Sequence, residues 1–178
     1  MHTVSKWGLV AAAVLSVAAA PNSASASQGP VSRGVQGSVD RYEVLRLTAH
    51  AEQITYLSNG NPQTGVGKQY LYINTIQRDG RPFGKEMLEC TQIGGTLTSP
   101  GPHSDQCRGT FLFPDGQVTW QNGTSSPTSA PPEDIDIAIT GGTDRYAGAT
   151  GYGHVNLTEP GESTQTVHLW LRPEVRGQ

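Results

Sequence analysis

The feature that most constrains this chain is a series of short alternating segments separated by glycine and proline turns. The 178 residues include 22 glycines and 12 prolines. Both residue types destabilise helix interiors, and no part of the chain after residue 26 sustains the apolar period of an amphipathic helix. The sequence therefore predicts an all-β domain that is rich in turns.

Eight segments have the length and residue types of strands. The first covers residues 41–57, where Leu45, Leu47 and Ala49 alternate with polar neighbours, as in a strand with one buried face. The others cover residues 67–78, 82–93, 106–113, 117–121, 134–140, 151–158 and 164–172. Hairpin-length connections between eight strands favour a closed antiparallel barrel or a sandwich. Longer loops are predicted over residues 94–105 and 122–132.

The first 26 residues have the features of a secretory signal peptide. Lys6 precedes an uncharged, alanine-rich run over residues 7–20, and small residues follow at 24–26. The run is short for a membrane span, so a retained anchor is the weaker interpretation. We expect a flexible lead over residues 27–40, a barrel domain over 41–173 and a tail over 174–178. The mature protein is predicted to be secreted and free of the membrane.

Charge and motif content exclude several function classes. The chain has 12 Lys and Arg against 15 Asp and Glu and contains no basic run, which argues against a nucleic-acid partner. It contains no Ser-His-Asp context, phosphate loop or nucleotide-binding motif. Its five histidines lack the spacing of metal ligands, so neither a metal nor another cofactor is predicted.

Two cysteines end one candidate strand and begin the next. In an oxidising compartment, a lone pair such as Cys90 and Cys107 is interpreted first as a disulfide. A bridge between these strands would close the intervening loop. Two free thiols facing a cavity are the competing interpretation.

Glycines recur at short intervals in the stretch from Asp136 to Pro160. Such glycines let strands end sharply or curl at a barrel corner. Between them, Thr150, Tyr152 and His154 share one face by the two-residue period of a strand. If that face lines the interior, the glycines make room for a ligand beside a hydroxyl, a phenol and an imidazole. The alternative is that the glycines serve packing alone and that His154 is structural.

The segment Ile137–Val155 (IAITGGTDRYAGATGYGHV) resembles the signature of the allene oxide cyclase and dirigent barrel superfamily. Residues 109–120 resemble the strand pair that precedes this signature, and residues 81–93 resemble the third strand, where Cys90 matches a family cysteine. The resemblance covers roughly residues 41–172. It implies an all-β, eight-stranded antiparallel up-and-down β-barrel that binds a hydrophobic small molecule.

Members of the superfamily steer the cyclisation of fatty-acid epoxides, the coupling of phenol radicals or the cyclisation of polyketides. The shared device is a pocket that holds a reactive, flexible substrate in one conformation. The resemblance thus favours a cofactor-free cyclase or isomerase, and a lipocalin-like carrier without a reaction is the alternative. It also implies a homodimer or homotrimer, for which Met87 and Trp170, on the presumed outer face, are candidate contacts.

The resemblance places family site positions on individual residues. Ala49 and Ala51 occupy the positions of the cyclases' catalytic carboxylate and its asparagine neighbour, which argues against authentic allene oxide cyclase activity. Tyr72 and Asn74 match an interior aromatic and polar pair.

Strand alternation extends this candidate site to the third and fourth strands. Glu86 shares a face with Leu88 and Cys90; inside an apolar barrel its carboxyl would have a raised pKa and act as an acid or base, whereas at a rim it would be solvated. Phe111 and Phe113 would supply apolar walls, or would plug the barrel. We predict as catalytic Glu86, Tyr72, Asn74 and Tyr152, and as ligand-binding Phe111, Phe113, Thr150, His154 and Leu88.

Overall fold

A computed structural model describes residues 41–57, 60–95, 101–128 and 132–172. The predicted signal peptide, the predicted lead and the tail, together with residue 173 of the predicted domain, lie outside the described residues.

The described residues form a closed antiparallel barrel in which each strand pairs with its neighbours in the chain and the last strand pairs with the first. The strands are β1 Arg41–Leu57, β2 Gln69–Arg78, β3 Arg81–Gly95, β4 His103–Phe113, β5 Gly116–Ser126, β6 Asp134–Gly142, β7 Thr150–Glu159 and β8 Glu162–Leu171. The predicted eight-stranded up-and-down β-barrel is confirmed. No helix in the described part of the chain is long and apolar enough to cross a membrane.

Two strands extend three or more residues beyond one of their predicted ends. β5 continues through Asn122 to Ser126, where a loop was expected, and β4 begins at His103 instead of Gln106. The added residues pair with one another, for example His103 with Ser126. These segments are polar on both faces, so alternation of apolar residues could not reveal them, and the pairing of neighbouring strands decides their structure.

An apolar core fills one end of the barrel, which we call the closed end. A 3-10 turn, Asp144–Tyr146, lies there between β6 and β7. Its Tyr146 is fully buried and packs against Phe113 with ring centroids 5.7 Å apart. The inward side chains around it include Leu45, Leu47, Phe111, Val118, Ile137, Val167, Leu169 and Leu171. The opposite end, which carries the β1–β2 and β3–β4 connections, is the distal end.

The phenylalanines predicted as cavity walls belong to this core. Phe111 is fully buried, and its ring stacks on that of Phe113 with centroids 5.6 Å apart. Both side chains face inward as predicted. They form the packed floor of the interior, because the Tyr146 ring closes the barrel beneath them.

The predicted disulfide is confirmed. Cys90 on β3 and Cys107 on β4 are directly paired, with Cα atoms 4.0 Å apart and a sulfur–sulfur distance of 2.01 Å. The bond crosses the interior face between the core and the distal end, because Cys90 shares the inward face of Glu86.

Glycines on β7 make room for neighbouring strands. A Cβ atom at Gly151 would lie 1.9 Å from the His168 carbonyl oxygen, and its φ of +155° is a conformation that other residues rarely adopt. At Gly153 a Cβ would lie 2.8 Å from Cγ1 of Ile137. These glycines therefore occupy the inward face of β7, next to the buried Val155.

The placement of Thr150, Tyr152 and His154 on the interior face is wrong. All three side chains point outward, and Tyr152 is 50% exposed. The reason is the two-residue period of the strand, since Gly151, Gly153 and Val155 take the inward positions.

Removing the disulfide is expected to destabilise the barrel. The bond joins residues 17 positions apart, and losing it from a loop of that size lowers the free energy of unfolding by about 3 kcal/mol. Urea denaturation of the Cys90→Ala/Cys107→Ala variant measures the loss, and reduced wild-type protein should match it. An unchanged midpoint would show that the bond contributes nothing to stability.

Gly151→Ala is expected to lower the free energy of unfolding by about 2 kcal/mol or more, because the backbone conformation and the His168 carbonyl both exclude a Cβ. Gly123→Ala is the matched control, since a Cβ there would lie 4.0 Å from its nearest neighbour. Thermal unfolding of the two variants compares them. Equal stability would contradict the assignment of Gly151 as a required glycine.

Candidate functional site

Directly above the core, toward the distal end, a polar group of side chains surrounds Glu86. On β3, Glu86 pairs with Asn74 of β2 and with Phe111 of β4. Its side chain points inward and only 1% of it is exposed. The solvated position at a rim that the sequence also allowed is thus excluded.

Three side chains from three different strands donate hydrogen bonds to the Glu86 carboxylate. Asn74 Nδ2 donates to Oε2 at 2.9 Å and Gln165 Nε2 donates to the same oxygen at 3.2 Å. Trp120 Nε1 donates to Oε1 at 3.1 Å. Every partner is an N–H group, so the arrangement is built to receive an acceptor at this point.

Burial raises the pKa of Glu86 above its ordinary value, and the hydrogen bonds from Asn74, Gln165 and Trp120 act in the opposite direction. Desolvation outweighs the hydrogen bonds, because a carboxylate in an apolar interior loses most of its hydration. A carboxyl group with a raised pKa is suited to exchange protons near neutral pH.

Gly109 explains how Trp120 reaches the carboxylate. The two residues pair across β4 and β5, and a Cβ at position 109 would lie 2.4 Å from the indole Cε2. The indole therefore occupies the space that a side chain at 109 would fill. Neither Trp120 nor Gln165 is among the residues that the sequence predicted for the site. Both lie on the inward faces of their strands. Gln165 continues the alternation of Val167, Leu169 and Leu171, and a polar residue in such an apolar series is the signal that would have identified it.

Tyr72 and Leu88 lie on the distal side of Glu86. Both are half-buried and follow the inward alternation of their strands from Asn74 and Glu86. Burial, followed by the nearby Tyr56 and Tyr70, raises the pKa of Tyr72 to about 12. Tyr72 is thus a neutral phenol that can donate a hydrogen bond at physiological pH. The structure brings together Glu86, Asn74, Tyr72 and Leu88, four of the predicted site residues.

Next to Asn74, the first strand contributes no inward polar group. Ala49 is 2% exposed, and Ala51 pairs directly with Asn74. The inward surface of β1 beside Glu86 is therefore made of methyl groups, as the sequence indicated.

The remaining predicted site residues lie on the outer surface. The Tyr152 ring stacks on His168 with centroids 4.6 Å apart. His154 Nδ1 lies 2.9 Å from a carboxylate oxygen of Asp136, and that hydrogen bond raises the pKa of the imidazole. Both side chains lie outside the barrel wall and Glu86 lies inside it. Neither residue can therefore contact a substrate that is bound at Glu86.

A shallow groove with a volume of about 590 Å³ also lies on the outer face. Its lining side chains are mostly outward-pointing residues of β1 to β6, among them Leu71, Met87, Thr110, Thr119 and Thr140. Met87 is 46% exposed, and Trp170, on β8, is 40% exposed. The groove belongs to the barrel exterior, and its two charged lining residues, Glu89 and Arg108, pair with each other at 2.8 Å. No group of three or more His, Cys, Asp or Glu among the described residues is arranged to hold a metal ion.

Solved structures with the same barrel perform several reactions. A pyocyanin demethylase matches with a TM-score of 0.58 and 23% identity, covering 71% of this chain and 99% of its own. The pterocarpan synthase dirigent protein GePTS1 matches with a TM-score of 0.58 and 14% identity, covering 82% of this chain and 98% of its own. The Diels Alderase AbmU from Streptomyces koyangensis matches with a TM-score of 0.58 and 17% identity, covering 80% of this chain and 74% of its own.

No family model and no curated protein matches the sequence. At the identities of the solved structures, the likeness establishes the fold. The chain has the same barrel fold as these dirigent and Diels Alderase structures, which is the fold that the resemblance of residues 137–155 implied. Because this fold hosts different reactions, the chemistry of this chain has to be argued from its own interior.

The raised pKa of Glu86 predicts a specific dependence of stability on pH. The folded protein holds this proton more tightly than the unfolded chain, whose value is near 4.5. Ionisation therefore opposes folding, and the contribution of Glu86 to stability falls as pH rises from 4.5 through the folded pKa. Glu86→Gln lacks this titration. Urea denaturation at a series of pH values should show wild type losing stability relative to Glu86→Gln over that interval.

Glu89→Gln is the matched control for this experiment, since Glu89 pairs with Arg108 on the outer surface. A difference between wild type and Glu86→Gln that does not vary with pH would show that the pKa of Glu86 is not raised.

Proposed function

We propose that the barrel interior binds a hydrophobic small molecule and steers its cyclisation or coupling, with Glu86 exchanging a proton with the substrate. The single observation that carries this proposal is a fully buried carboxyl group held by three N–H donors on the inward face of the barrel. The shared fold of dirigent proteins and cyclases supports it.

The hydrogen bonds around Glu86 leave one position for a substrate. Oε2 accepts from both Asn74 and Gln165, whereas Oε1 accepts from Trp120 alone. Each carboxylate oxygen has two acceptor sites. Oε1 therefore keeps one lone pair that can take a proton from a substrate and return it at another atom, so that the protein is unchanged after each turnover.

Positioning supplies the rest of the effect. The neutral Tyr72 phenol donates to an oxygen of the substrate, and the rings of Phe111 and Trp120 form an apolar floor. Holding a flexible molecule in a reactive conformation can lower a barrier by about 7–11 kcal/mol without any cofactor. Under this proposal the protein needs none.

Loss of the Glu86 carboxyl is expected to reduce turnover by about a hundredfold or more, because general acid–base groups contribute that much. The assay incubates wild type, Glu86→Gln and the outer-surface control Glu89→Gln with unsaturated fatty-acid epoxides, linear polyketides and phenols. Products are followed by chromatography. Equal rates for wild type and Glu86→Gln on an accepted substrate would remove Glu86 from the mechanism.

A carrier that performs no reaction is the second candidate. It is favoured by Ala49 and Ala51, which leave the part of β1 next to Asn74 without an inward polar group. Extraction of ligand from protein purified from its source distinguishes the two functions. A molecule that is returned chemically unchanged after incubation supports the carrier, and a rearranged molecule supports the cyclase.

We place this activity outside the cell, after removal of residues 1–26. The Cys90–Cys107 bond supports this location, since disulfides persist in oxidising compartments. Assembly as a homodimer or homotrimer, with Met87 or Trp170 at the contact, is part of the same proposal, and the exposure of both side chains supports it.

A further inference from the structure

A second polar cluster lies inside the barrel at its distal end. Asp105 and His103 follow the inward alternation of β4 from Cys107, and Asn122 takes the inward position opposite Cys107 on β5. Asp105 pairs with Thr124, so Asp105 and Asn122 are diagonal neighbours on one face of the sheet, within reach of a common ligand.

The imidazole of His103 occupies one side of Asp105. Its Nε2 lies 3.2 Å from Asp105 Oδ2, and its Nδ1 lies 3.3 Å from the Gly101 carbonyl oxygen. Both ring nitrogens thus face acceptors, and Nε2 is placed to donate a hydrogen bond to Oδ2. Because Oδ2 is engaged in this way, most of the hydrogen-bonding capacity left on the carboxyl group resides in Oδ1.

Asp105 Oδ1 and Asn122 Oδ1 are both buried and have no hydrogen-bond donor among the residues that the structure describes. A buried acceptor that stays unpaired costs about 1–3 kcal/mol, so two of them on one inward face indicate a place where a donor group binds. The side chains of His103 and Asp105 are 16% and 17% exposed, so the cluster can be reached from solvent at the distal end.

The region between this cluster and Glu86 is lined by apolar and aromatic groups. Burial, followed by the charge of Asp105, raises the pKa of Tyr70, and Asp105 acts on Tyr72 in the same direction. The carboxylate therefore lies close to both phenols. The disulfide and Leu88 continue this inward face toward Glu86.

The spacing of the two polar sites sets the shape of the ligand. Phe111, the partner of Glu86, lies six residues beyond Asp105 on β4. At about 3.3 Å per residue, the two sites are separated by roughly 20 Å of strand. A ligand that occupies both is elongated, with a polar head and an apolar body.

We propose that Asp105, together with Asn122, anchors a hydroxyl or amine group at the distal end, and that the apolar body of the same ligand extends past Tyr72 and Leu88 toward Glu86. This inference rests on the proposed binding of a small molecule in the interior. It adds the class of ligand, an elongated amphipathic molecule with a hydrogen-bond donor at one end, and it makes Asp105 a positioning residue.

The test uses three probes that carry the same decyl chain: decanol, decylamine and decyl methyl ether. The alcohol and the amine each carry a donor, whereas the ether carries none. Calorimetry with wild-type protein is expected to show at least one donor probe binding about tenfold or more tightly than the ether, as expected for one hydrogen bond to a charged group. Tighter binding of the amine identifies an ammonium head group, and tighter binding of the alcohol identifies a hydroxyl.

Asp105→Leu is expected to abolish this preference, so that all three probes bind as the ether does. Asp136→Leu is the matched control, because Asp136 is an exposed carboxylate on the outer surface that contacts His154. The indole N–H resonance of Trp120 in NMR spectra reports whether each probe enters the interior. The comparison of probes on wild-type protein stands even if the Asp105 variant folds poorly.

Two outcomes overturn the anchor while leaving interior binding intact. One is equal affinity of wild type for all three probes with the Trp120 resonance shifted. The other is a donor preference that persists in Asp105→Leu. Failure of all three probes to bind or to shift the Trp120 resonance overturns the anchor and interior binding together.

Discussion

The whole structure depends on the pairing of β1 with β8. Ten consecutive residue pairs, from Arg41–Leu171 to His50–Glu162, join the first strand to the last and close the sheet on itself. Once the sheet is closed, every strand has one face inside the barrel and one face outside. Successive side chains along a strand then alternate between the buried interior and the solvent. A polar residue at an inward position is then buried whatever its own preference, and it has to find partners inside the barrel.

Glu86 shows what closure imposes. Its neighbour Asn74 comes from the adjacent strand, but Trp120 and Gln165 lie 34 and 79 residues away in the chain, and they reach the carboxylate because the barrel wraps β5 and β8 around the same interior. Three N–H donors satisfy the acceptor atoms of a polar group whose burial would otherwise be costly. The interior is graded along its axis: the Tyr146 ring and the apolar core close one end, the Glu86 site lies above them, and the His103–Asp105 cluster lies at the distal end. Such a gradient orients a ligand that has unlike ends.

The likeness to dirigent proteins and Diels–Alderase cyclases fits this arrangement without fixing its chemistry. Those structures share the fold with this chain at identities of 11–18%, and they include both a pterocarpan synthase and Diels–Alderases. What is particular to this chain is the set of inward side chains: a carboxyl group on β3, methyl groups on the facing part of β1 and a disulfide between β3 and β4. The Tyr152 and His168 rings stack on the outer face of the barrel, where they cannot contact Glu86.

The sequence by itself determined the eight strands, the cross-strand disulfide and the common face of Tyr72, Asn74, Glu86 and Leu88, because each of these follows from local alternation, turn residues or nearest-neighbour pairing. Alternation alone allowed a barrel or a sandwich, and the resemblance of residues 137–155 favoured the barrel. It did not determine which face of β7 lies inside. Alternation separates Tyr152 and His154 from Gly151 and Gly153, but with glycine on one side and polar or aromatic residues on the other, no burial preference decided between them. Only the tertiary structure made that choice, through the fit of Gly153 against Ile137 and of Gly151 against the β8 backbone. It likewise decided that Trp120 and Gln165 converge on Glu86, since contacts between distant strands depend on the register and closure of the whole sheet, which no single segment encodes.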